Sequence, residues 1–123
     1  MPVLAVHGWT PDHLLMLGCL EPVLAVRNGY RRLYPDLPRM GRSPAGDVAS
    51  AEDILAALEE FVDEHTDAPF LLIGESFGGH LARALTHRRP SQVRGLALIC
   101  PVAAYLGAPG RRCPRSRFAG RTA

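Results

Sequence analysis

Lysine is missing from all 123 residues, so every one of the 14 basic side chains is an arginine. A phosphate-binding P-loop requires lysine directly after its second glycine. The stretch from Gly74 to Gly79 has suitable outer glycines but continues with His80 and Leu81, which excludes that reading. Cysteine is scarce: Cys19, Cys100 and Cys113 are odd in number, widely spaced and without a C-x-x-C pair. Neither a disulfide framework nor a zinc cage is expected from them, and no metal or cofactor is implied. No apolar run approaches the roughly 20 residues of a membrane span. The residues Met1 to Val6 lack the positively charged start of a signal peptide. Reduced thiols and the missing export signal lead to the expectation of a cytoplasmic protein with no membrane partner.

Acidic residues are missing from the whole C-terminal part. All 12 lie between Asp12 and Glu75, so Met1 to Ser76 carries 5 Arg against 12 acids, net −7. The remainder, Phe77 to Ala123, carries 9 Arg against none, net +9, and the formal total of +2 conceals the division. Any mechanism that needs a carboxylate late in the chain finds none. With 47% hydrophobic residues and a mean hydropathy of +0.02, the chain suits one globular domain. A chain of this length buries roughly two-thirds of the surface its unfolded form exposes. The last 17 residues, Gly107 to Ala123, hold five Arg, three Gly and two Pro, with Phe118 as the only large apolar side chain. They are expected to be a disordered Arg-rich tail (107–123) after a folded domain over 1–106. With no aromatic interleaving beyond Phe118 and an acidic body, the tail does not read as a nucleic-acid binder.

What is present is a regular alternation. Val3 to Val6 is a short apolar run ending at His7-Gly8 and reads as a buried parallel strand. Thr10 offers an N-cap with Pro11 in the first helical position, predicting a helix from about Asp12 to Leu20 that ends or kinks near Pro22. Asn28-Gly29 supplies a turn, and Arg31 to Asp36 reads as a second, weaker strand. The Pro- and Gly-punctuated stretch Leu37 to Asp47 is a loop. Ser50, with Asp53 three residues on, caps a helix whose core stripe is Ile54, Leu55, Leu58, Phe61 and Val62. Glu59, Glu60, Asp63 and Glu64 are placed on its solvated face. Phe70 to Ile73 is an apolar run with the length of a strand covered on both faces. Gly78 to about Arg88 reads as a helix and Val93 to Ile99 as a strand. Such β-α-β-α-β-α-β order predicts an α/β fold, a three-layer sandwich with a mostly parallel sheet.

Gly74-Glu75-Ser76-Phe77-Gly78 is G-x-S-x-G, set between an apolar strand and a helix, the context that gives this motif chemical meaning. A serine at so sharp a turn projects its hydroxyl above the sheet edge, where the free N–H groups of the helix start favour a developing oxyanion. The same strand-Ser-helix grammar would also arise from an ordinary N-cap, which is the competing reading of Ser76. His7-Gly8-Trp9, Tyr34 to Ser43 (YPDLPRMGRS), the Gly74 to Gly79 elbow and Gly95 to Pro101 occur in this order. In these stretches the chain resembles the α/β-hydrolase family over residues 2 to 104: its H-G-x oxyanion loop, its D-x-P-G-x-G-x-S loop, its nucleophile elbow and the strand after it.

The resemblance implies a serine hydrolase of the esterase or lipase kind acting on a small ester-like substrate. Ser76 would be the nucleophile, the backbone N–H groups of Phe77 and Trp9 the oxyanion hole, and His7 and Gly8 the loop that carries it. The His7 imidazole is expected to order that loop by hydrogen bonding rather than to act as the base, and His13 to lie on the surface. Arg39 stands where the family has Gly, and the sequence leaves open whether it displaces the loop or faces solvent. The family's acid and histidine follow the elbow in chain order. After Ser76 there is no acid, and the two histidines there, His80 and His87, lie on the adjoining helix. A partial α/β-hydrolase fold of about four strands is therefore expected, truncated before the acid and the histidine. Its exposed sheet edges would be open to self-association. The alternative is an inactive remnant or an interaction module.

Overall fold

The computed structural model describes residues 1–102. The element order is β1 (Pro2–Val6), α1 (His13–Leu24), β2 (Arg31–Leu33), α2 (Ala51–His65), β3 (Phe70–Glu75), α3 (Phe77–Arg88) and β4 (Val93–Ile99). The strands form one four-stranded sheet in the order β2-β1-β3-β4, and all three pairings are parallel. This is the α/β architecture expected from the alternation. The Arg-rich segment 107–123 and Cys113 lie outside the described residues.

Side chains alternate between the two faces of a strand, and here the faces are unequally covered. Leu4, Val6, Phe70 and Leu72 join Ile54, Leu55, Leu58 and Val62 of α2 and Leu81, Ala82 and Leu85 of α3 in one buried cluster. The opposite face buries Val3 and Ala5 of β1. There Leu24 of α1 lines a shallow groove with Val3, Leu71 and Ile73. Leu71 and Ile73 are only half-buried, so β3 is fully covered on one face, not on both as its apolar run predicted. At the edge, β4 is mostly exposed, Leu96, Leu98 and Ile99 included.

Local chemistry accounts for most of the element boundaries. Ser50 and Asp53 form the expected capping box: the Asp53 N–H donates to Ser50 Oγ at 3.1 Å and the Ser50 N–H to Asp53 Oδ2 at 2.8 Å. The cap of α1 differs from expectation. Asp12, not Thr10, accepts the Leu14 N–H at 2.9 Å, so the helix starts at His13. It also runs through Pro22 to Leu24; the ring removes a single helical donor, and the Ala25 N–H still reaches the Glu21 carbonyl at 2.9 Å. Strand β2 stops at Leu33 rather than Asp36, two residues before Pro35, which has no N–H to give a ladder. The acidic face of α2 is only partly solvated. Arg88 binds Glu52 and Glu59, and Arg89 binds Glu59 and Asp63, so the acid-rich and acid-free parts of the chain neutralise each other across the α2–α3 contact.

Candidate active site

The carboxyl ends of β1 and β3 lie side by side, with Val6 paired to Gly74. Ser76 follows β3 directly and adopts φ 50 and ψ −115, a left-handed backbone that non-glycine residues seldom hold. It occupies the N-cap position of α3, and its side chain makes no capping hydrogen bond. Its backbone is held from both sides. The Ser76 N–H donates to the Ile99 carbonyl at 3.0 Å, and the Ser76 carbonyl accepts from Gly79 at 3.0 Å and from His80 and Val102 at 3.3 Å each. The turn closes this tightly because Gly74 and Gly78 lack side chains. A Cβ on Gly78 would meet the carbonyl oxygens of Val6 and His7, and one on Gly74 would sit 2.7 Å from Gly79 Cα.

The loop after β1 comes to the same place. A Cβ on Gly8 would lie 3.0 Å from Ser76 Cβ and against the Glu75 carboxylate. The Trp9 and Phe77 rings meet edge to face at 5.3 Å between centroids, so the two residues expected to supply backbone N–H groups are brought together beside the serine. Phe77 is the first residue of α3, where an N–H has no acceptor inside the helix. The Trp9 N–H enters no backbone hydrogen bond among the described residues.

His7 is fully buried at 0% exposure. Its Nε2 accepts the Leu37 N–H at 3.0 Å, which leaves the proton on Nδ1 to be donated to the Gly8 carbonyl at 2.8 Å. Both ring nitrogens are thus spent on fixing the Gly8-Trp9 loop against the loop after β2, and neither is available for proton transfer. That second loop has its own anchor in Asp36. Its Oδ1 accepts from the His13 N–H at 2.7 Å and pairs with His13 Nδ1 at 2.8 Å, and its Oδ2 accepts from Arg42 N–H at 3.0 Å. Burial raises the Asp36 pKa, but the Arg42 and His13 N–H bonds and the His13 imidazole outweigh it, bringing the pKa down to about 2. His13 is accordingly a half-buried partner of Asp36, not a free surface histidine. The sequence signal for this pair was Asp36 at the head of the YPDLPRMGRS loop; nothing in local periodicity pointed to His13.

Arg39, in the same loop, has φ 70 and an exposed side chain. It lines a cavity of about 160 Å³ with Trp9, Phe77, Val48, Ser50 and Ile54. His80 stacks on Phe77 at 6.2 Å, and His87 lies in the last turn of α3. Among the described residues no group of histidine, cysteine and carboxylate side chains could hold a metal ion, and no helix is long and apolar enough to cross a membrane.

Residues 1–112 match the family model of the alpha/beta hydrolase fold. The chain is 38% identical over 73 residues to lipase LipV of Mycobacterium tuberculosis, covering 59% of this chain and 28% of that protein. A solved α/β-superfamily hydrolase from Oenococcus oeni PSU-1 superposes with a TM-score of 0.75 at 32% identity, over 83% of this chain and 38% of the other. The thioesterase domain of a curacin biosynthetic pathway gives a TM-score of 0.73 at 34% identity, over 81% of this chain and 37% of that one. This chain therefore spans between about a quarter and two-fifths of the length of each.

Proposed function

The chain belongs to the α/β-hydrolase fold family, and we propose that it carries the nucleophile and oxyanion-hole portion of a serine hydrolase of the esterase kind. The observation that carries this reading is the Ser76 backbone: a strained, hydrogen-bonded turn at a helix start whose hydroxyl is not used as a cap. Ser76 Oγ attacks the ester carbonyl carbon. The carbonyl oxygen, gaining charge, is received by the Trp9 and Phe77 N–H groups, each worth about 3 kcal/mol to such a transition state. The bond to the alkoxy oxygen breaks, the serine proton ends on the departing alcohol, and water then hydrolyses the acyl-serine.

The imidazole and carboxylate that would take the Ser76 proton are not supplied by His7, His13 or Asp36, which are committed to each other's loops. No acid follows Ser76 in the sequence. The reading therefore places both groups outside residues 1–102, and without them turnover falls by factors of about 10⁴ to 10⁶. The reaction to follow is single acylation. A fluorophosphonate probe should label the folded protein at Ser76, as located by peptide mass spectrometry, slowly for want of a base but ahead of the other serines because the oxyanion hole remains, and should leave position 76 of Ser76→Ala unlabelled. Folded wild-type protein that stays unlabelled at Ser76 would overturn the reading and favour the inactive remnant.

A further inference from the structure

Three observations meet at Arg39. It holds φ 70, a conformation suited to glycine. Its guanidinium takes part in no ion pair among the described residues, as is also true of Arg27, Arg31, Arg42, Arg83 and Arg94, so its charge is available to a ligand. It also lines the 160 Å³ cavity walled by Trp9 and Phe77, which meet beside Ser76, and no acidic side chain among the described residues shares that lining. The remaining wall is apolar or small, from Val48, Ala49, Ser50, Ala51 and Ile54. A half-open recess of this size can seat a short acyl chain.

We propose that Arg39 is a specificity residue: this cavity is an acyl subsite that selects esters whose short acyl chain ends in a carboxylate, as in the half-esters of small dicarboxylic acids. The planar guanidinium pairs with a carboxylate through two parallel N–H donors, while Trp9, Phe77 and Ile54 cover the methylenes. The acyl carbonyl is thereby held at Ser76 and the distal anion at Arg39. The inference rests on the esterase reading for the chemistry, but not for binding.

Trp9 is the sole tryptophan and lines the cavity, so its fluorescence reports occupancy. The wild-type protein is titrated with monomethyl glutarate and, separately, with the neutral isostere methyl glutaramate. The acid should half-saturate at about tenfold lower concentration, the effect of one charge-assisted pair at a partly wet site. Arg39→Gln should erase the preference, Arg39→Lys should keep part of it, and Ser76→Ala should keep all of it. Equal titration of the two esters by wild-type protein, or a preference that survives Arg39→Gln, would overturn the inference. Fluorophosphonate labelling separates the two readings. A preference without Ser76 labelling removes the nucleophile and leaves the anion site, whereas labelling without a preference does the reverse.

Discussion

Ser76 and Arg39 both hold positive φ, 50 and 70, at turns near the carboxyl ends of strands, but the two are held in place by different means. Ser76 is locked by scaffold: its N–H goes to Ile99 in β4, and its carbonyl takes three N–H donors. Gly78, two residues on, is pressed against the backbone of Val6 and His7 in β1 and the loop after it. Three elements must move before that serine can relax. Arg39 lies in an exposed loop, where its N–H makes one backbone bond, to Pro44 at 3.3 Å, and the loop is pinned locally by Asp36. Strain can be kept at a reactive group when rigid elements over-determine it. At Arg39 the same backbone conformation is a local cost attached to a side chain that reaches the cavity.

The largest expected effect comes from attacking the scaffold. In Gly78→Ala the new methyl would overlap the carbonyl oxygens of Val6 and His7, backbone atoms fixed in or beside a sheet. Overpacking against atoms that cannot yield should destabilise by about 3 kcal/mol, read as a fall in the urea midpoint at unchanged slope. A loss under about 1 kcal/mol would mean that β1 and α3 can slide apart, and the contrast between the two turns would then disappear.

The same contrast explains what could be read from the sequence. The order of elements along the chain, the parallel strands, the α2 capping box and the extent of β4 were legible, because apolar runs, Ser/Asp spacing and alternation are local signals; the sheet order β2-β1-β3-β4 was not. The elbow was legible as a motif, but a Ser between a strand and a helix caps helices as readily as it attacks carbonyls. What the structure adds is φ 50 and the absence of a cap bond, neither of which the motif could show. The Asp36–His13 pair joins residues 23 apart in sequence, and the bond from Leu37 to His7 joins residues 30 apart. No periodicity encodes contacts of that range. The α1 start was misplaced for a similar reason. Thr10 and Asp12 are both able caps, and what decides between them is that Asp36 receives the His13 N–H and so fixes where the first turn begins.

The Arg39 loop should be the more easily loosened of the two, and acid is the means. Asp36 titrates near 2 in the folded chain against an ordinary 3.8. Its contribution is therefore fully present above about pH 4 and is lost as pH falls from there towards 2. The size at neutral pH is about 2 kcal/mol. Asp36→Asn should lower stability by that amount at pH 7 and converge with wild type near pH 2, as measured by urea unfolding across a pH series. Parallel curves for the two proteins between pH 4 and 2 would mean that the loop is held by something other than this carboxylate.

The smallest effect, and the one opposite in sign, belongs to Arg39→Gly. Releasing a non-glycine residue from left-handed φ returns about 1 kcal/mol. The added freedom of glycine in the unfolded chain takes back about half of that. A net gain near 0.5 kcal/mol corresponds to a rise in Tm of about 2–4 °C in a domain of this size. The variant would then be more stable while losing the only cation among the described residues that line the cavity, the pattern expected where a residue is kept for binding at the expense of folding. If Tm falls instead, the arginine stem is packing against Trp9 and Ile54 strongly enough to outweigh its own backbone strain, and the loop is held by its cavity wall as firmly as the elbow is held by its sheet.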